Sequence, residues 1–197
     1  MVAEQQIKII VGLGNPGKDY FATRHNVGFW LVEQLATSQS STLASFSLDK
    51  KFSGETAKIT LNYQPIWLLK PLVFMNRSGL AIKQLASFYK ISPENILVVH
   101  DDLDLPAGTA KIKKGGGHGG HNGLRDSINQ LQSKDFYRLR IGIGHPGNKN
   151  QVSDYVLGAP SKADRALIEQ AIDNAIDVMG LIIEGKLDQA MNKLHSK

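Results

Sequence analysis

The chain opens on a short apolar block, Ile7-Lys8-Ile9-Ile10-Val11, that stops at glycine and predicts a buried first strand. Val27, Trp30, Leu31, Gln34 and Leu35 then recur near the helical period, predicting a helix. Residues 37–48 are rich in Ser and Thr and predict a loop. Thr56–Leu61 and Ile66–Leu69, separated by Asn62-Tyr63-Gln64-Pro65, predict two strands of a hairpin. Leu80, Leu85, Phe88 and Tyr89 mark a second helix, closed by Ser92-Pro93. Ile96–Val99 predicts another buried strand, and Thr109–Lys113 a more exposed one. Leu124–Leu131 follows as a helix and Tyr137–Ile143 as a strand. Ser161 caps a long helix whose apolar set is Ala166, Ile168, Ile172, Ile176, Met179 and Ile183. Strands alternating with helices place the chain in the α/β class, with helices flanking a central sheet. The hairpin makes that sheet mixed. No repeat, low-complexity tract or linker divides it, so residues 1–197 are expected to form a single domain.

Composition narrows the picture. A length of 197 residues suits one domain with a real core, and 42% hydrophobic residues is ordinary for a globular protein. No apolar run is long enough to span a bilayer, and Met1 to Gln6 lacks the basic start and apolar stretch of a signal peptide. Cysteine is absent, which excludes disulfides, a thiolate nucleophile and cysteine-ligated zinc. These features lead to the expectation of a cytoplasmic protein. The net charge of +5 is unevenly spread. Between Lys111 and Lys149, eight Lys or Arg face only Asp126 and Asp135, so that segment carries +6 and the remainder −1. A near-neutral body with one basic region fits either a polyanion partner or a solvated basic surface.

Five segments carry candidate chemistry. Gly12-Leu13-Gly14-Asn15-Pro16-Gly17 follows the first strand and matches G-x-G-x-x-G. Pro16 lacks the N–H that a pyrophosphate would use, and no acidic residue stands at the end of a second strand, so a tight strand-to-loop turn competes with a dinucleotide site. Thr23-Arg24-His25-Asn26 puts a histidine before the first helix, where it is either a general base or a satisfied structural residue. In Phe74-Met75-Asn76-Arg77-Ser78-Gly79, Asn76 is either an N-cap or a pocket amide. His100-Asp101-Asp102-Leu103-Asp104 ends a buried strand, where α/β sheets place ligand sites. One of these carboxylates can orient a histidine; a metal set of His100, Asp101 and Asp102 ranks lower because strand neighbours point to opposite faces. Five glycines fill six positions around His118, followed by His121-Asn122-Gly123. They suit close backbone approach or a flexible loop, and His118-x-x-His121 is a weak metal signal. The run is not followed by G-K-[ST], and no G-x-S-x-G occurs.

Together, GLGNPG, TRHNVGF, FMNRSG, VVHDDLDLPAG, KIKKGGGHGGHNGLRD and RLRIGIGHPG, running in order from residue 12 to residue 147, resemble the bacterial peptidyl-tRNA hydrolases. One position departs: the family usually has threonine shortly before FMN, where this chain has Val73. The resemblance implies a monomeric α/β enzyme that cleaves the ester between a peptide and its tRNA and so recycles tRNA from prematurely released peptides. It implies no cofactor, no metal, no membrane and no obligate protein partner. It assigns His25 as catalytic base, Asp101 as its supporting acid, and Asn15, Asn76 and Asn122 as substrate-holding amides. Tyr20 and Phe74 match positions lining the substrate site, and Lys113 and Arg140 match residues that grip the tRNA end. The carbonyl of Asn15 is expected to accept from the peptide N–H and so to separate peptidyl-tRNA from aminoacyl-tRNA. A Rossmann-like oxidoreductase and a non-catalytic RNA-binding module are the competing classes.

Overall fold

The computed structural model describes residues 6–38 and 44–195. Among them seven strands form one sheet: β1 (Ile9–Gly12), β2 (Ser47–Asp49), β3 (Gly54–Leu61), β4 (Gln64–Pro71), β5 (Ile96–Asp102), β6 (Ala110–Lys114) and β7 (Tyr137–Gly142). The order across the sheet is β2-β3-β4-β1-β5-β7-β6. β1 is parallel to β4 and β5, and β5 to β7. The β2–β3, β3–β4 and β6–β7 pairs are antiparallel, which makes the sheet mixed as predicted. The helices are α1 (Val27–Ser38), α2 (Ser78–Phe88), α3 (Asn122–Leu131), α4 (Val152–Val156), α5 (Lys162–Asp177), α6 (Met179–Ile183) and α7 (Leu187–His195). No helix among the described residues is long and apolar enough to cross a membrane.

Strand alternation divides the core into two layers. Ile10, Leu97, Val99 and Leu139 point to the face covered by α1, α5 and α6. Ile9, Val11, Ile96 and Val98 point to the face covered by α2 and α3. The central strands are buried on both faces, which is why they read as continuous apolar runs.

Several boundaries differ from the sequence reading. The predicted loop at 37–48 overlaps α1 and contains most of β2; its residues 39–43, like Met1–Gln5 at the chain start, lie outside the described residues. β2 has no apolar alternation because it is a half-exposed edge. The long C-terminal helix does begin at the Ser161 cap, whose Oγ accepts from the Asp164 N–H at 3.1 Å. It breaks at Val178 (φ −101°, ψ 0°), so Met179 and Ile183 belong to a separate turn, α6. Core burial of both residues preserves the apolar period across the break. β5 runs three residues beyond Val99, carrying His100 and Asp101 inside a strand.

Two close approaches set the site. A Cβ on Gly12 would lie 2.2 Å from the Gly28 carbonyl oxygen, so α1 rests directly on the end of β1. Gly12 and Gly14, which meet Gly28 and Phe29 of α1, thus serve helix-on-strand packing, and Gly17, at φ 105°, makes the turn that follows. Likewise α2 crosses α3 so closely that a Cβ on Gly79 would meet the Asp126 carbonyl oxygen at 2.3 Å. The Gly79 N–H, an orphan donor of the first turn of α2, is satisfied by the Asp126 carboxylate at 2.8 Å. The three nearest obstacles to a Gly79 side chain, from Asp126 and Ser127, are all backbone, which cannot swing aside. Gly79→Ala should therefore cost about 1–3 kcal/mol of unfolding free energy, read as a lowered urea midpoint with unchanged slope.

Candidate active site

The carboxyl end of β5 brings together residues far apart in sequence. Asp101 shares the parity of Leu97 and Val99 and points toward the α1 side. There the single 3-10 turn Arg24–Asn26, which starts α1, delivers His25. His25 Nδ1 lies 2.8 Å from Asp101 Oδ1. The same oxygen receives His121 Nε2 at 2.9 Å. Asp101 and His25 are buried, with 3% and 9% of their surface exposed. Burial alone would raise the Asp101 pKa; the His25 charge and the imidazole donors outweigh it and hold the carboxyl well below its usual range. Burial alone would lower His25, but the Asp101 charge and hydrogen bond win, and its pKa sits above the ordinary 6.5. With Nδ1–H committed to Asp101, Nε2 is the basic nitrogen of His25.

His121 is the N-cap of α3. Its Nδ1 accepts from the backbone N–H groups of Gly123 at 3.1 Å and Leu124 at 3.3 Å. That hydrogen-bond network assigns the proton to Nε2, where it donates to Asp101. The helix terminus therefore holds the carboxylate through a histidine of fixed tautomer. His100, with the opposite parity to Asp101, donates Nδ1–H to the Asp101 carbonyl oxygen at 2.7 Å. Burial, followed by the neighbouring His121, pushes its pKa down to about 3, so it is neutral in the working range.

The donor atoms of His25, Asp101 and His121 all lie within 4.8 Å of one another, a spacing that a metal ion could use. The tautomer argues against it. A neutral histidine ligating through Nε2 carries its proton on Nδ1, and His121 Nδ1 faces two N–H donors. The other suggested set, His100, Asp101 and Asp102, is dispersed by the strand: His100 is tied to backbone and Asp102 to Arg140. His118 of the His118-x-x-His121 pair stays outside this group: it is half-buried, and its Nδ1 accepts from the Gly120 N–H.

All three asparagines line the cavity of about 1050 Å³ above this cluster, together with His25 and Asp101. Their amides are not equivalent. Asn15 Oδ1 accepts from the Met75 N–H at 2.8 Å. The backbone of Asn15 is held by Asn26, whose Oδ1 accepts from its N–H at 2.9 Å and whose Nδ2 donates to its carbonyl at 3.0 Å. Asn15 Nδ2 is the end of the amide without a protein partner among the described residues, while Oδ1, with one of its two lone pairs taken by Met75, keeps a second for another donor. Asn122 Oδ1 likewise accepts from Arg125 Nη1 at 3.1 Å. Asn76 does not cap α2; that position is Arg77, and Asn76 stands exposed in the preceding turn Met75–Arg77. Phe74 lines the cavity, with 58% of its surface exposed. Tyr20 does not reach the lining; it backs Phe74 edge-on, ring centroids 6.3 Å apart. Val73 is half-buried beside them and does not line the cavity.

The rest of the lining has two chemistries: a basic set, Lys113, Arg138, Arg140, His145 and Lys149, and an apolar set, Leu103, Val152, Val156 and Leu157. Arg140 Nε donates to Asp102 Oδ2 at 2.6 Å. Arg138 donates to the carbonyls of Gly116 and Gly117, stapling the glycine run that leads to His121. Sequence reasoning missed Arg138, Asn26 and the part played by His121. The one available signal was His121 standing three residues before the predicted helix Leu124–Leu131; the structure starts that helix at Asn122 and so makes His121 its N-cap.

Known proteins give the same grouping. The family model for peptidyl-tRNA hydrolase matches residues 9–197. The chain is 54% identical over 191 residues to the peptidyl-tRNA hydrolase of Neisseria meningitidis, covering 97% of this chain and 98% of that one. It is 55% identical over 192 residues to that of Pasteurella multocida, covering 97% of each. The crystal structure of peptidyl-tRNA hydrolase from Acinetobacter baumannii superposes with a TM-score of 0.92 at 46% identity, covering 96% of this chain and 95% of that one.

Proposed function

Because this chain belongs to the peptidyl-tRNA hydrolase family and hydrolyses the ester between peptide and tRNA, we propose that His25 is the base that activates the attacking water. The observation that carries this reading is the sharing of Asp101 Oδ1 by two imidazoles, one of which is locked by a helix terminus. That leaves His25 as the one ring of the pair free to exchange a proton through Nε2. In the reaction, water oxygen bonds to the ester carbonyl carbon as its proton passes to His25 Nε2. Asp101 stabilises the imidazolium that forms. The tetrahedral intermediate then expels the ribose oxygen, which takes the proton back from His25. Water is the nucleophile, so the reading requires neither a metal nor a cofactor.

Asn15 and Asn122 face this centre with NH₂ groups and suit carbonyl or developing oxyanion oxygens. Asn76 has both amide ends available for peptide backbone. Phe74, braced by Tyr20, packs against the substrate. The apolar wall of Leu103, Val152, Val156 and Leu157 takes the peptide, and the basic wall takes the acceptor end of the tRNA. Gripping backbone and phosphates leaves peptide and tRNA sequence unread. We place the enzyme in the cytosol as a monomer that recycles tRNA. Release of free tRNA from an N-acylated aminoacyl-tRNA, without release from its free-amine counterpart, tests the reading directly.

The two walls make separable predictions. Lys113→Ala and Arg140→Ala should raise KM for full-length substrate about tenfold with little change in kcat, and should flatten the salt dependence of binding by about one counterion each. Arg140 has part of its charge committed to Asp102, so its loss should have the smaller salt effect. An N-acylated aminoacyl ester of a short oligonucleotide should be cleaved at the native rate. Equal losses on both substrates would take this wall away from tRNA.

A further inference from the structure

Arg24 and His25 are consecutive, but their side chains diverge. His25 enters the cavity, while Arg24 turns to the segment after α4. There its Nη1 donates to the carbonyl oxygens of Tyr155 at 3.1 Å, Gly158 at 3.3 Å and Ala159 at 3.0 Å. Its guanidinium carbon stands 3.9 Å from the centroid of the Tyr155 ring, and its own N–H donates to the Gly158 carbonyl at 3.1 Å. Nη2 lies 3.9 Å from Asp164 Oδ2 at the start of α5. Only 8% of the residue is exposed.

These carbonyls end a helix of five residues, too short to hold its own place by backbone bonds. A guanidinium at its C-terminus satisfies the orphan acceptors and complements their partial negative charge. Tyr155 adds a second tie, its hydroxyl donating to the Ile143 carbonyl beyond β7 at 2.6 Å. The other side of the same turn and a half presents Val152, Ser153, Val156 and Leu157 to the cavity. The apolar α4 part of the lining is therefore fastened to the residue next to the base.

We propose that Arg24 is a positioning residue that sets the separation between His25 and the α4 wall, so that a peptide lying on that wall presents its ester carbonyl at the base. The inference rests on the reading that this wall takes the peptide. Lysine does not replace Arg24, because a single ammonium on a flexible stem lacks the planar guanidinium that lies on the Tyr155 ring and cannot serve the three carbonyls and Asp164 from two separate nitrogens.

The test compares two substrates on one tRNA, an N-acetyl-aminoacyl ester and a peptidyl ester several residues longer. Native enzyme should cleave the longer one with the higher kcat/KM. Arg24→Lys should lose about tenfold on the longer substrate and less than about threefold on the short one. The ascending limb of its pH profile should not move, since the His25–Asp101 contact is untouched. Amide hydrogen exchange should quicken at residues 152–159 and nowhere else. Tyr155→Leu, which removes the ledge under the guanidinium, should give the same split and serves if Arg24→Lys does not fold. Equal losses on both substrates, or a shifted pH limb, would overturn the inference, because Arg24 would then serve the fold or His25 itself. A native preference that both variants retain would overturn it while leaving the peptide wall in place. No native preference would remove the wall and the inference together.

Discussion

Replacing His25 with alanine should lower ester hydrolysis by a factor on the order of 10²–10⁴ while leaving tRNA affinity within about twofold of native. The loss follows from removing the one imidazole of the cluster that is free to shuttle a proton; the binding walls do not involve it. Near-native turnover by the variant would refute the assignment. The native pH profile gives a second measurement. The proposed mechanism needs His25 neutral, so kcat/KM should rise with pH through its free-enzyme pKa. Asp101 raises that value, so the midpoint should lie above the ordinary 6.5 of a free histidine. A flat profile from about pH 5 to 8 would exclude a histidine base. The same shift has a stability consequence of opposite direction. A raised folded pKa makes the His25–Asp101 contact stabilising in full below about pH 6.5, and that contribution fades as pH rises through the folded pKa. The enzyme should thus be most active where this contact contributes least to folding.

Asp101→Asn should be less damaging than deletion of the base, with a distinct signature. In many histidine–carboxylate pairs the amide forces the wrong tautomer. Here both imidazoles donate to a single oxygen, Oδ1, which an asparagine carbonyl can replace in both bonds. The tautomers of His25 and His121 should survive, and only the negative charge is lost. Without it the imidazolium formed in the transition state is not stabilised, and a loss of about a hundredfold is expected. Burial then acts on His25 unopposed, so the ascending limb should move to lower pH than in the native enzyme. Imidazole nitrogen chemical shifts followed through a titration would check both points. An unmoved limb would mean that Asp101 does not set the basicity of His25.

The parts legible in the sequence were those set by local chemistry. Ile9–Val11 and Ile96–Val99 announced central strands because both their faces are buried. Ser161 announced a helix start because its side chain satisfies a donor three residues away. The edge strand Ser47–Asp49 was illegible because an exposed three-residue strand needs no apolar pattern. In the site, motif resemblance located His25, Asp101 and the asparagines, whereas the direction of each amide depended on partners distant in sequence. Asn15 is oriented by Met75, 60 residues away, and no local spacing encodes that contact. The meeting of His25 and His121 on Asp101 likewise depends on three elements converging at one strand end.

The crossing of α2 and α3 at Gly79 has a mechanical consequence. Asn76 lies in the turn that leads into one of these helices and Asn122 opens the other. Backbone in contact with backbone, joined by the Asp126 carboxylate, ties the two helix starts to each other. On the proposed reading, in which both amides hold substrate, the spacing of the two backbone positions that carry them acts as a gauge set by this crossing. A peptide main chain repeats its polar groups at constant intervals whatever its side chains, so such a gauge reads the polymer and ignores its composition. A substitution that pries this crossing apart, even on its outer side, would miscalibrate the gauge and reach the ester without touching any group that contacts it.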